Sequence, residues 1–304
     1  MQKNNVTTFI LLGFPDLHGY RTAFFIFLLM SYPITICGNL MVIVLVSCSK
    51  TLHSPMYFFL TQLTTSDILT SSSVVPNMLH MVLHNGSSMS FLGCMTQFFF
   101  FGSAECSQCF LLTVMSYDRY LAICHPLHYH SIMYPMLCLK YIFSSWLLGF
   151  TVTLIQTVNI CQLYFCRSNV IDHFFCDFDP ILKLSCSSVM RVKLLSMLLG
   201  VPFIVFPFSV MVVSYAYIVH TILRIQSITG RQKAFLKCGS HLAVVSIFYG
   251  TLFSIYLLPE KGNSISFRKS LSIIYTVVTP LVNPVIYCLR NRDINEAFQK
   301  LMCR

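Results

Sequence analysis

Charge is what this sequence has least of. Only 10% of its 304 residues are Asp, Glu, Lys or Arg, and only ten of those are acidic. A soluble domain carries about a quarter charged residues, so this chain cannot cover a water-facing surface. It has no glycine-rich phosphate loop, no zinc-protease helix motif and no Gly-x-Ser-x-Gly elbow, which removes the common nucleotide-binding and hydrolytic classes. Internal repeats, Gly/Ser linkers and low-complexity tracts are missing. Residues 1–21 lack the basic start, apolar core and small-residue cleavage site of a secretory signal.

Apolar length is what the chain has instead. It is 56% hydrophobic, with a mean hydropathy of +0.71. A membrane span needs about 20 apolar residues. Seven stretches qualify, at roughly 23–47, 56–81, 94–124, 139–160, 194–223, 238–258 and 270–289. The expected fold is an all-α membrane protein, a seven-transmembrane helix bundle in a single domain over 1–304, with the first span acting as signal anchor. Within the tail 290–304, residues 291–302 place Ile294, Phe298 and Leu301 on one face. They read as a short amphipathic helix lying along the membrane surface.

Seven spans put the two termini on opposite sides. With segment 1–22 outside, the inner side holds eleven Lys and Arg and the outer side nine. If the outer loop 161–193 is discounted as a folded, translocated element, five remain outside, as positive-inside topology requires. The net charge of +10 therefore reads as topology and not as a nucleic-acid surface, because the basic residues sit at span ends. Two glycosylation sequons, Asn5-Val6-Thr7 and Asn85-Gly86-Ser87, agree with this orientation. Asn5 is the better acceptor, because Asn85 lies close to the membrane.

Most of the 14 cysteines lie inside spans, where a thiol packs as a small apolar group. Four do not: Cys94 at the outer start of the third span, and Cys166, Cys176 and Cys186 in the loop 161–193. Outer cysteines are ordinarily bridged. Four allow three pairings, and spacing does not choose among them. Two bridges would hold the loop over the bundle as a lid. Cys106 with Cys109, and Cys238 with His241, share helix faces at i,i+3. Packing of small residues between helices accounts for them better than a metal.

Charged residues inside spans are costly, and they mark function by default. Asp67 and Glu105 lie deep in the second and third spans. Thr64 and Ser71 flank Asp67, and Asn39 and Asn283 can reach it across the bundle. Such a set could hold a cation, sodium being the candidate, or a water cluster. No other cofactor is expected. The plainer reading is that both acids are protonated and hydrogen-bonded. At the end of the third span Asp118 and Arg119 stand side by side between Tyr117 and Tyr120. There the plainer reading is an arginine that ends a span by snorkelling.

The motifs together resemble the rhodopsin-like G-protein-coupled receptors, and within them the vertebrate odorant (olfactory) receptors, over nearly the whole chain. The carriers are Gly38-Asn39, the run Leu52 to Leu60, Met115 to Tyr129, Ser214-Tyr215, Lys233-Ala234-Phe235 with Cys238-Gly-Ser-His241, Phe248 to Thr251, and Pro280 to Tyr287. Leu52 to Leu60 and His173 to Asp177 look like the tetrapod-type class. The resemblance implies Cys94–Cys176 and Cys166–Cys186 bridges. It implies a G-protein-facing switch of Asp118, Arg119, Tyr120, Tyr215, His241, Asn283, Pro284 and Tyr287, and a buried polar site of Asn39, Asp67 and Gln108. It places the ligand among Phe101, Gly102, Glu105, Cys106, Leu199, Phe203, Tyr249, Leu252, Phe253, Tyr256, Ile273 and Thr276. The expected partners are a small hydrophobic odorant, a stimulatory olfactory-type heterotrimeric G protein and membrane lipid. The expected location is the plasma membrane, multi-pass, with the N-terminus extracellular.

The chain departs from the family in the third span. The family usually carries an acid where Gln108 stands; here the acid is one turn outward, at Glu105. That carboxyl would favour a basic or hydrogen-bond-donating odorant, or serve a displaced ion site. A transporter or channel using Asp67 and Glu105 as a path is the main rival class. An odd number of spans and the lack of a repeat argue against it. An intramembrane enzyme lacks a convergent nucleophile and base.

Overall fold

In a computed structural model of the protein, residues 6–15, 17, 19–166, 168–257, 264–290 and 292–302 are described. Seven long helices form the bundle: α1 (Arg21–Cys48), α2 (Pro55–His84), α3 (Phe91–Cys124), α4 (Pro135–Cys161), α5 (Met190–Arg224), α6 (Ile228–Leu257) and α7 (264–290). A shorter helix, α8 (Arg292–Met302), follows. Pro55 and Pro135 each occupy the first helical position of α2 and α4, where a missing N–H costs nothing. α7 runs as α-helix to Ile273, widens to a π-helical stretch over Ile274–Val278, and resumes as α-helix from Thr279. The widened turn lies just ahead of Pro280, which has no N–H for a regular ladder.

Six of the seven are long and apolar enough by length and composition to cross a membrane; α2 is the exception. Its apolar run is broken by Thr61, Thr64, Thr65, Ser66, Asp67 and Thr70 to Ser73. Hydrocarbon offers no water to these groups, so the bundle must satisfy them. Thr64, Ser66, Asp67, Thr70 and Ser71 are buried. The Thr64 hydroxyl donates to Thr61 O at 2.9 Å, and that of Ser66 crosses to Ala104 O of α3 at 2.9 Å.

α3 has 34 residues and spans about 51 Å, well beyond the ~30 Å of a hydrocarbon core. It packs against α2, α4, α5 and α6 and is the axis of the bundle. Its approach to α4 depends on Gly149: a Cβ there would lie 2.2 Å from Ser107 Oγ and 2.8 Å from the Ser103 carbonyl oxygen. A small residue lets the two backbones meet. α8 folds back on the bundle, burying Ile294 and Ala297, and Tyr57 of α2 donates to Asp293 Oδ2 at 2.9 Å. The side chain of Leu301 lies outside the described residues.

One end of the bundle is capped by a small sheet that the apolar runs did not predict. β1 (Thr8–Leu11) lies between β2 (Ser87–Ser90) and β3 (Val170–Ile171), antiparallel to β2 and parallel to β3. Phe9 and Leu11 are fully buried, and the Phe9 ring meets Phe91 at 5.9 Å and Phe165 at 5.7 Å. Of the three cysteine pairings open to the sequence, the structure forms Cys94–Cys176, with Cα atoms 5.5 Å apart, and Cys166–Cys186, at 5.8 Å. Lys269 of α7 is buried; its Nζ donates to Gly13 O at 2.8 Å and to Asp172 Oδ1 at 2.5 Å. That contact ties the N-terminal segment, the loop and α7 together. Of the two sequons, Asn5 lies outside the described residues. Asn85 caps α2 in the left-handed region at φ 58°, and the Ser87 hydroxyl donates to Asn77 Oδ1 at 3.0 Å.

Two buried loop groups titrate abnormally. Burial, with Lys269 nearby, lowers His173 from 6.5 to about 3. Burial raises Asp177 from 3.8 to about 6, even though its carboxylate caps the short helix Phe178–Lys183 by accepting from Phe178 N at 2.8 Å. The signs oppose each other. Below pH 6.5 the unfolded chain protonates His173 and the folded chain does not, so stability is lost on acidification. Between pH 6 and 3.8 the folded chain protonates Asp177 first, so stability is gained.

Gly149→Ala is expected to cost about 1–3 kcal/mol through overpacking, read as a lowered thermal midpoint in detergent; an unchanged midpoint would disprove the close α3–α4 contact. Asp177→Asn keeps the cap but removes the compensating proton. Its thermal midpoint should fall more steeply than the wild type between pH 7 and pH 5, and an equal or shallower fall would contradict the opposed signs.

Candidate functional site

The inward stripe of α3 sets the site. Phe101, Glu105 and Cys109 are spaced one helical turn apart. The Phe101 ring meets Phe175 of the loop at 5.0 Å and Tyr275 of α7 at 5.8 Å, and Phe175 and Tyr275 are 6.4 Å apart. These three aromatics form a roof just inside the capped end. Deeper in the bundle, Phe208 of α5 meets Phe253 at 4.9 Å and Tyr249 at 5.2 Å, both on α6. Phe203 meets Phe110 edge-on at 5.2 Å. Leu199, Phe203, Leu252, Phe253 and Ile273 are partly buried, and Tyr249 and Thr276 are buried. An aromatic and aliphatic wall with few polar groups suits small apolar ligands.

Glu105 lies one turn below Phe101 of the roof. Its Oε1 accepts a 3.3 Å hydrogen bond from Thr70 Oγ1 of α2. It is partly accessible, while Phe101 and Cys109, one turn to either side, are buried. Gly102 and Cys106, expected in the same cavity, turn toward α4. A Cβ on Gly102 would come within 2.9 Å of Thr153 Cγ2, and the Thr153 hydroxyl donates to Cys106 Sγ at 3.9 Å. The side chain of Tyr256 lies outside the described residues. Sequence reasoning missed Phe175, Tyr275, Phe208 and Thr70. Phe208 stands one turn after Ile204 on α5 and was open to a periodicity argument. Phe175 lies in an irregular loop that carries no periodic signal.

A polar cluster lies under Glu105. Asp67 Oδ1 accepts from Gln108 Nε2 at 3.0 Å and its Oδ2 from Asn283 Nδ2 at 2.8 Å, so one carboxylate joins α2, α3 and α7. Asn39 of α1 reaches the same α7 segment by donating to Pro280 O at 3.0 Å. Among the described residues Asn39 Oδ1, Asn283 Oδ1 and Ser71 Oγ are buried with no partner. Pro284 lies where a Cβ on Gly38 would meet it at 3.3 Å, so α1 and α7 touch closely beside the cluster.

At the end opposite the sheet, Arg119 donates to Asp118 Oδ2 from its NH2 nitrogen at 2.7 Å and from Nε at 3.1 Å. Asp118 is fully buried. Its other oxygen accepts from the hydroxyl of Tyr129, in the loop after α3, at 2.8 Å. Burial and the adjacent carboxylate push the Tyr129 phenol upward, so it remains a donor at neutral pH. The Tyr120 hydroxyl meets His125 Nε2 at 3.0 Å. Tyr215 of α5 and His241 of α6 are linked at 2.5 Å between hydroxyl and Nδ1. Tyr287 is buried between these groups and the Asp67 cluster. A snorkelling arginine would point to water. Arg119 instead folds onto a buried acid whose two oxygens are both engaged.

Comparison with known proteins agrees with this arrangement. A family model described as olfactory receptor matches residues 27–304. The chain is 44% identical over 303 residues to olfactory receptor 6B3 of Homo sapiens, covering 99% of this chain and 92% of that one. It is 43% identical over 299 residues to olfactory receptor 1468 of Rattus norvegicus, covering 98% and 95%. It is 45% identical over 298 residues to olfactory receptor 10A7 of Homo sapiens, covering 97% and 93%.

Proposed function

The chain belongs to the olfactory receptor family of G-protein-coupled receptors, and on that premise we propose that it binds small, mostly hydrophobic volatiles inside the bundle and activates a stimulatory, olfactory-type G protein to raise cyclic AMP. It works without catalysis, in the plasma membrane, with the sheet-capped end and the N-terminus extracellular and Asn5 glycosylated. The observation that carries this reading is the layout of α3. One helix bears Phe101 of the aromatic roof and Glu105 toward the capped end, and the Asp118–Arg119 pair at the other.

A ligand that fits the active bundle better than the resting one shifts the population toward the active state. The resting arrangement holds Arg119 on Asp118, with Tyr129 fixing the acid from its far side. In the active state Arg119 leaves Asp118, the Tyr215–His241 link rearranges, and the charged end of α6 moves outward to admit a helix of the G protein. The groups around Asp67 fit a hydrated sodium ion in part. Orphaned Asn39 Oδ1, Asn283 Oδ1 and Ser71 Oγ can accept a cation or water. Both carboxylate oxygens, however, already receive amide N–H donors. A sodium ion there would have to share a carboxylate oxygen with one of those donors.

Arg119→Ala should abolish the odorant-driven rise in cyclic AMP while leaving surface staining at wild-type level. A normal response in that variant would reject the switch. Tyr129→Phe, which deletes one hydroxyl, should raise ligand-independent cyclic AMP; a basal level equal to wild type would show that Tyr129 does not hold the resting state.

A further inference from the structure

Glu105 is a carboxyl with too few partners for its position. A carboxylate offers about four acceptor sites, and the structure fills one of Glu105's with a long 3.3 Å bond from Thr70. Among the described residues no lysine or arginine pairs with it. Arg119 is committed to Asp118, Arg268 to Asp179 and Lys269 to Asp172. Asp67, by contrast, has both oxygens engaged by amide donors. The two acids on neighbouring helices therefore differ: each oxygen of Asp67 has a donor, and only one oxygen of Glu105 does.

Glu105 is partly accessible on the inward stripe of α3, below the roof of Phe101, Phe175 and Tyr275. A carboxylate partly withdrawn from water is destabilised until a donor reaches it, and a ligand can bring that donor. We propose, resting on the receptor reading above, that Glu105 is the ligand's ionic anchor and that the preferred ligands are small amphiphilic amines. The ammonium donates to the Glu105 carboxylate, and the hydrocarbon chain packs on the surrounding aromatic walls. A charge-assisted bond in a water-poor cavity is roughly twice as strong as a neutral one. An aliphatic amine should therefore outrank an alcohol of the same carbon skeleton. A carboxylic acid of that skeleton is repelled.

The test is a matched panel (1-hexylamine and 1-octylamine, the corresponding alcohols, aldehydes and acids) applied to cells carrying the receptor, the G protein and a cyclic AMP reporter. The amines should act at concentrations about tenfold or more below the alcohols. Glu105→Gln keeps shape and hydrogen bonding but removes the charge. It should erase the amine advantage, by about tenfold or more. Should E105Q fail to reach the surface, Glu105→Asp decides: the carboxylate retreats by one methylene, so the ranking of short against long amines must change. Amines inactive while alcohols or aldehydes activate the wild type would overturn the anchor and leave the receptor reading intact. Equal shifts of amines and alcohols in E105Q, or an unchanged ranking in E105D, would do the same. If no volatile in a broad panel raises cyclic AMP through receptor stained at the surface, the receptor reading fails and the anchor falls with it.

Discussion

The carboxylate of Asp67 accepts one hydrogen bond from α3 and one from α7, and the bundle's interior is arranged about that pair of contacts. Hydrocarbon supplies no water to a stray polar group, so each must find its partner inside the protein. This explains why α2 can be the least apolar of the seven helices and still belong to the bundle. Its hydroxyls bond back to carbonyls one turn away or across to α3. The backbone of α7 is least regular just where it meets this cluster. The π-helical turn over Ile274–Val278 and the two prolines that follow leave carbonyls such as Pro280 O free to accept from Asn39. A helix already departing from the regular ladder needs less to rearrange than an intact one.

α3 carries the consequences along its length. At the capped end it is fixed by the Cys94–Cys176 bridge and by Gln97, whose Nε2 donates to Ser73 O of α2 while its Oε1 accepts from Cys176 N. Midway Glu105 accepts from Thr70 of α2 and Gln108 donates to Asp67. At the far end it presents Asp118 and Arg119. The α4 side is closed by Gly149, which leaves no room for a methyl between the two backbones. A rigid element with an aromatic cluster near one end and a charge pair at the other physically connects the two. Its neighbours are less regular: α5 has Pro202 and Pro207 inside it, and α6 is linked to α5 near the charge pair by Tyr215 and His241.

The capped end has its own logic. A short strand gains little in water by itself, but β1 is paired on both edges and packs two fully buried side chains. The Lys269 contact then joins the strand segment and loop to α7. The roof aromatic Phe175 stands beside Cys176, whose bridge fixes it over Phe101. The aromatic cluster at this end is thus built partly by residues in none of the seven spans.

The sequence by itself determined the helices, since an apolar run of span length has no stable alternative in a bilayer. The runs 56–81 and 94–124 lie inside Pro55–His84 and Phe91–Cys124. It also singled out Asp67, Glu105, Asp118 and Arg119, because charge in an apolar run is conspicuous. Only the tertiary structure decided what those groups touch. Pairing of Thr8–Leu11 joins strands some 80 and 160 positions apart in the chain, and four residues carry too little periodicity to announce it. Gly102 and Cys106 share a turn with Glu105, yet they face Thr153 of α4 because α3 has neighbours on every side. The engagement of Tyr129 with Asp118, and of both oxygens of Asp67 but only one of Glu105, depends on distances across helices. Spacing along the chain fixes which face a residue occupies. Which helix covers that face is set by how the whole bundle buries its polar groups.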